Sequence, residues 1–361
     1  MRKINTALCS YGMSGRVFHA PFLHVHEGFH LHAVWERSKS VVNKDYEHVV
    51  SYRNYNELLE DRAIELIVVN TPNYTHHEFV KEALLADKNV IVEKPFTVTV
   101  QEASELQDIA RQQQRVLSIY HNRRWDSDFK TIRKVIKSGW LGNLVEMEIH
   151  FDRYRLDLSP KQHKEKPGPG TGALYDLGSH LIDQALCLFG MPEAVFADLQ
   201  ILRPESQVDD YFELLLYYPQ LRVRLHSSYL VREALPGYIL HGTKGSFIKH
   251  RTDIQESALQ LGKLPNTADW GMEPDHEKGL LHAEKDGKVL KQYITSEQGN
   301  YMGYYDGIYA AITEGMDPHV TAEEGLNTIR IIEAAIRSYH ERRVIEVKDG
   351  GKRSRPFIQS F

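Results

Sequence analysis

Five runs of branched apolar residues, separated by helical patterns, constrain the first 120 residues of this chain more than any other feature. "NTALCSYG" from Asn5, "FHLHAVWE" from Phe29, "IELIVVNTP" from Ile64, "NVIVEKP" from Asn89 and "RVLSIYHN" from Arg115 read as strands. "THHEFVKEALLADK" and "TVQEASELQDIARQQQ" between them carry the helical period. Strands apolar along their whole length need cover on both faces, and intervening helices supply it, so the pattern predicts a doubly wound parallel sheet. "WDSDFKTIRKVIKSGWLG" then reads as a helix closed by a glycine. From Asn143 the period changes: "LVEMEIHFDRYR" alternates, "YFELLLYY" and "LRVRLHSSYLV" flank a Pro219-Gln220 turn, and "GYILHGTKGSFIKH" forms another pair. Such runs with short turns predict an antiparallel sheet. Two helices finish the chain, the second opening with Thr321 and Glu324 at capping-box spacing.

A chain of 361 residues exceeds one comfortable core. The expected division is an α/β domain over 1–122 and an α+β domain over 123–361, with the last helices free to pack back on the first domain. A net charge of -5 without a basic stripe argues against a nucleic-acid partner. No apolar run is long enough to span a bilayer, the opening residues lack a signal-peptide core, and Cys9 and Cys187 are too few for a disulfide framework. The expected address is the cytoplasm. Among 19 histidines the pairs His24/His26, His30/His32 and His76/His77 invite a metal, but no Cys or carboxylate sits at ligand spacing around them, and no metal is expected.

The first strand runs into "CSYGMSGRVFHAP", where Gly12 and Gly15 supply the G-x-x-G half of a dinucleotide fingerprint and Ser10 replaces its first glycine. Such a turn lets a pyrophosphate approach backbone N–H groups at a helix N-terminus. Glu36 follows Gly15 by 21 residues, close to the spacing of a ribose-binding acid. Glu36 tips the cofactor toward NAD, whereas Arg37 and Ser38 are groups that would hold the 2'-phosphate of NADP.

"NVIVEKP" ends an apolar strand on Glu93, Lys94 and Pro95. Lys is reluctant to be buried, so these residues are either a solvated pair at a strand end or chemistry placed at the sheet edge. Asp176 and His180 in "YDLGSHLIDQ" are four apart on a helix starting near Asp176, and lie on one face. Hydride transfer from an alcohol needs a base near neutral pH, a cation for the developing oxyanion and a carboxylate to orient hydroxyls. His180, Lys94 and Asp176 supply these types.

With "SYGMSG", "NTPNYTH", "EKP", "YDLGSHLIDQ" and "TAEEGLNTIRIIEAA" in order, the whole chain resembles the Gfo/Idh/MocA oxidoreductases. "SGRVFHAPFL", "YHNRRWDSDF" and "GSFIKH" look most like the scyllo-inositol dehydrogenase (NADP+) subgroup. The resemblance implies an N-terminal Rossmann domain and a C-terminal domain whose large open, mostly antiparallel sheet commonly makes a dimer contact. It implies reversible hydride transfer between NAD or NADP and a secondary alcohol of a sugar or cyclitol, in a homodimer or homotetramer. Lys94, Asp176 and His180 would be catalytic. Gly12, Met13, Ser14, Gly15, Glu36, Arg37, Ser38, Asn70, Thr71, Pro72, Asn73, His76, Glu93, Lys94 and Asn122 would line the cofactor; Asn122, Arg123, Arg153 and Tyr154 would meet the substrate. A cis Lys94–Pro95 bond is expected, since X-Pro bonds tolerate it. Other uses of the fold are an NAD-using glycosidase and a dinucleotide-binding sensor, though a sensor needs no acid/base set.

Overall fold

The computed structural model describes residues 2–38, 40–160 and 164–347. They form two compact units: 2–125 with Ile254–Trp270 and Asn300–Leu326, and Asp126–Asp253 with Gly271–Gly299 and 327–347. In the first unit, β1 (Ile4–Leu8), β2 (Phe29–Trp35), β3 (Val50–Tyr52), β4 (Leu66–Val69), β5 (Asn89–Val92) and β6 (Leu117–Ile119) build one sheet. Its order is β3-β2-β1-β4-β5-β6, and every neighbouring pair is parallel. Leu66 to Val69 and Val90 to Val92 are fully buried, as strands covered on both faces must be. The connecting helices are α1 (Ala20–Val25), α2 (Tyr55–Glu60), α3 (His76–Leu85) and α4 (Val100–Gln112). α4 opens on a capping box in which Thr99 Oγ1 accepts from Glu102 N and Glu102 accepts from Thr99 N.

The second unit contains a nine-stranded sheet: β7 (Leu144–His150), β8 (Ala194–Gln200), β9 (Tyr211–Tyr217), β10 (Arg222–Ser228), β11 (Tyr238–Gly242), β12 (Gly245–Lys249), β13 (Gly279–Lys285), β14 (Lys288–Ile294) and β15 (Ile345–Glu346). The order is β14-β13-β12-β11-β7-β10-β9-β8-β15. The pairing of β7 with β10 is parallel and the others are antiparallel. One face packs against α5 (Ser127–Lys137) and α6 (Ser179–Phe189): Tyr238 donates to Gln184 on α6 at 3.1 Å and to Asp128 on α5 at 3.3 Å. By alternation, Met147 and Ile149 share that face while Glu146, Glu148 and His150 turn to the other.

The expected contiguous split at residue 122 differs from this division. Two later stretches complete the first unit, bringing α7 (Gln255–Gln260), α8 (Met302–Glu314) and the start of α9 (Ala322–Glu341). The reason is hydrogen bonding at the edge strand and its flank. Ser118 on β6 donates to Val320 O at 2.7 Å, and Gln255 Oε1 accepts from Trp270 Nε1 and Tyr301 N at 3.0 and 2.8 Å. Thr321 and Glu324 form the expected capping box. Among the described residues, no helix is long and apolar enough to cross a membrane.

Candidate active site

In the first unit the glycine turn is closed by the residue that departs from the fingerprint. Ser10 Oγ accepts from Gly12 N at 3.1 Å, and Ser10 O accepts from Asn70 Nδ2 at 2.8 Å. A Cβ on Gly15 would collide with that same Ser10 carbonyl, so position 15 admits only glycine. Gly15–His19 forms a π-helical turn running into α1, and Met13 at its entrance is half exposed.

The end of β5 is bolted to this turn. Glu93 Oε1 accepts from Ser14 Oγ and pairs with His19 Nε2 at 3.1 Å, while Oε2 faces Lys94 N at 3.2 Å. His19 is fully buried, its Nδ1 2.9 Å from Tyr305 Oη and its ring 4.4 Å from that of Tyr120. Burial works to raise the Glu93 pKa, but the bonds and charges of His19, Ser14 and Lys94 outweigh it and bring the carboxyl down to about 2. The Lys94–Pro95 bond is cis, as expected. His76, 1% exposed, spans the neighbouring loops, with Nδ1 2.9 Å from Pro95 O and Nε2 3.0 Å from Thr71 O. It thereby braces the strand ends that carry Thr71 to Asn73 and Lys94.

Glu36 at the end of β2 is buried and serves its own loop. Its carboxylate accepts from Val41 N at 2.8 Å, Val42 N at 3.4 Å and Ser51 Oγ at 3.1 Å. Arg37 and Ser38 beside it are exposed. Asn122 is buried on a 3-10 turn, Asn122–Trp125, where Arg123 pairs with Glu256 at 2.7 Å.

In the second unit the helix carrying Asp176 and His180 starts earlier than Asp176. A π-helical turn, Leu174–Gly178, precedes α6. The cap is Asp209, distant in sequence: its Oδ2 accepts from Leu174 N and its main-chain O from Ala173 N, both at 2.8 Å. Gly172, with φ +96, leaves no room for a Cβ beside this carboxylate. Burial pushes the Asp209 pKa up to about 6. Asp176 is half-buried in the first turn and His180 is 5% exposed on the next. The Pro/Gly-rich loop before the helix delivers Lys164, whose Nζ lies 3.0 Å from Asp176 Oδ2. That loop is anchored by buried Arg203, which bonds Asp210 at 2.9 Å and Glu165 at 3.0 Å. Arg153 lies over the Phe151 ring at 5.1 Å, and exposed Tyr154 accepts from Arg232 Nη2 at 2.6 Å.

Residues 4–121 match the oxidoreductase family described as an NAD-binding Rossmann fold, and residues 133–347 match its C-terminal alpha/beta domain. The chain is 40% identical to scyllo-inositol 2-dehydrogenase (NADP(+)) IolW of Bacillus subtilis over 95% of its own length and 97% of the relative's. It is 39% identical to the uncharacterized oxidoreductase YdgJ of Escherichia coli, covering 94% and 97%. The solved structure of Bacillus subtilis yvaA superposes with a TM-score of 0.93 at 39% identity, over 96% of this chain and 99% of that one. The chain belongs to the Gfo/Idh/MocA oxidoreductase family. Its Gfo/Idh/MocA glycine turn and E-K-P end are joined in the first unit, and the Asp-x-x-x-His helix stands in the second. His19, Lys164 and Asp209 are contributions that sequence reasoning missed. His19 alone left a signal, four residues after Gly15, where a helix on the turn faces the sheet edge.

Proposed function

We propose that this Gfo/Idh/MocA oxidoreductase transfers hydride reversibly between NADP and a secondary alcohol of a sugar or cyclitol. The observation that carries the reading is Glu93, whose carboxylate ties the end of β5 to Ser14 of the glycine turn and so fixes Lys94 beside the dinucleotide turn, at the carboxyl edge where parallel sheets take ligands. The residues fit the dinucleotide: Gly12 and Gly15 keep the turn tight, and buried Asn70 Oδ1 has no hydrogen-bond partner. Thr71, Pro72 and Asn73 would line it on the adjoining strand end. The nicotinamide, when bound, supplies the hydride acceptor or donor. His180 takes the hydroxyl proton in oxidation and returns it in reduction, a contribution of about 10²–10⁴-fold. Lys94 steadies the developing negative oxygen. Asp176 orients a neighbouring hydroxyl, with Asn122, Arg123, Arg153 and Tyr154 as further substrate contacts.

Both Glu36 oxygens are engaged with the loop, which withdraws the acid from the ribose diol, and exposed Arg37 and Ser38 are the groups suited to a 2'-phosphate. This supports NADP over the NAD that the position of Glu36 suggests by itself. The test follows the reduced-nicotinamide absorbance with NAD or NADP against inositols, aldoses and sugar phosphates. Turnover with NADP and a cyclitol or sugar is expected, and Arg37→Ala should raise the KM for NADP while sparing that for NAD. Turnover with NAD alone would sink the NADP assignment. Binding of cofactor without reduction by any alcohol of the panel would sink the dehydrogenase reading.

A further inference from the structure

His150 and His226 are paired directly across the parallel β7–β10 ladder and lie on the same face of the sheet. Asp152, two residues past His150, joins them there. Among the described residues, these three form the one group of His, Cys, Asp or Glu side chains whose donor atoms converge as a metal site requires, all within 4.8 Å of one another. Their side chains are 8%, 5% and 17% exposed for His150, Asp152 and His226.

The hydrogen bonds around the group leave a gap at its centre. His150 Nε2 faces Glu148 Oε2 at 2.9 Å, and Glu148 is itself held by Arg224 at 2.6 Å. An Nε2–H donated to that carboxylate puts the lone pair of a neutral ring on Nδ1. Nδ1 lies 3.4 Å from Asp152 Oδ2, and both atoms are buried without a hydrogen bond. The edge of a tetrahedron with bonds of about 2.0–2.1 Å is about 3.4 Å, so a metal ion fits between two atoms so spaced. Asp152 Oδ1 accepts from His226 Nδ1 at 2.9 Å and from Ser228 N at 3.0 Å. A shift of the His226 proton to Nε2 turns Nδ1 into a third donor while Ser228 keeps the carboxylate oriented.

We propose that His150, Asp152 and His226 bind one divalent transition ion of the Zn²⁺ class, with Glu148 as the carboxylate that orients His150. Two imidazoles and one carboxylate suit such an ion, and a histidine backed by a carboxylate is the usual support for one. The ion clasps β7 to β10, the parallel pairing in a sheet otherwise antiparallel, just before the chain reaches Arg153 and Tyr154. The competing occupant of the gap is a second proton on His150, which the metal would displace.

The test titrates Co²⁺ into full-length protein stripped with a chelator, reading visible ligand-field absorption and stoichiometry by mass spectrometry of the native protein. One Co²⁺ per chain is expected, displaced by Zn²⁺, with binding lost in His226→Gln and Asp152→Asn. Glu148→Gln should weaken it roughly 10–100-fold. X-ray absorption of the Zn²⁺-loaded wild-type protein should show two imidazole nitrogens, a readout that needs no variant to fold. No uptake, uptake unchanged in folded His226→Gln, or a zinc shell lacking paired imidazoles would each overturn the proposal.

Discussion

Glu93 in the first unit and Asp176 in the second are both carboxylates beside a candidate catalytic side chain, yet they are held in opposite ways. Glu93 is consumed by its surroundings: one oxygen serves Ser14 and His19, the other faces the Lys94 amide. Asp176 is approached by a loop lysine, and that pair is partly open to water, with side chains 43% and 30% exposed for Lys164 and Asp176. The difference assigns them different work. A carboxylate depressed to about pKa 2 and saturated with partners positions its neighbours. A half-exposed one can be reached by a ligand from solvent. On the proposed function the E-K-P motif divides its labour, Glu93 as the bolt and Lys94 as the reactive group.

The largest effect expected from this contrast is on turnover. Lys94→Ala should lower kcat by about 10²–10³-fold and His180→Asn by about 10²–10⁴-fold, while thermal melts of both stay near wild type. Retained turnover in Lys94→Ala, with a lowered melting temperature instead, would make Lys94 part of the bolt and erase the division. Glu93→Gln should lower the melting temperature as well as turnover, since loss of charge-assisted hydrogen bonds costs about 1.5–3 kcal/mol of stability and frees the strand end that holds Lys94. Its pH dependence sharpens the point. The folded pKa of Glu93 lies below the ordinary 4.5, so its contribution is present above about pH 4.5 and is lost as pH falls toward about 2. Melting curves of wild type and Glu93→Gln should therefore converge across that window. Curves that stay parallel would mean the bolt carries no stability.

The first unit was more legible in the sequence than the second because its signals are local. Buried parallel strands announce themselves as runs such as Val90 to Val92, and the glycine turn and E-K-P are each contiguous in the chain. In the first unit β3 escaped because three residues with Val50 exposed carry no periodicity; in the second β8, β13, β14 and β15 escaped, β14 because Lys288 and Lys291 interrupt its apolar positions. In the second unit the decisive partners are remote. Asp209 caps a helix 35 residues upstream, and His150 meets His226 through strand register, which no spacing rule reveals. The conspicuous pairs His30/His32 and His76/His77 are engaged in hydrogen bonds within the fold. His32 pairs with Asp61, His77 with Glu105, and His76 braces two carbonyls. Ser10 and Glu36 show the converse, residues whose identity was plain and whose hydrogen bonds only the fold reveals.

The smallest effect belongs to Lys164, and it bears directly on how open Asp176 is. A half-exposed ion pair contributes about 0–1 kcal/mol, so Lys164→Ala should leave the melting temperature nearly unchanged. If Asp176 binds a substrate hydroxyl and Lys164 only aims it, the variant should raise KM a few-fold with kcat preserved, because the orienting contact acts in ground state and transition state alike. The effect should shrink with rising salt, as expected for a pair that water and ions can reach. A fall in kcat comparable to that of Lys94→Ala would instead put Lys164 on the reacting oxygen. In that case the second unit would hold its own cation for the chemistry, and the contrast between a sealed Glu93 and an open Asp176 would rest on which lysine the substrate meets.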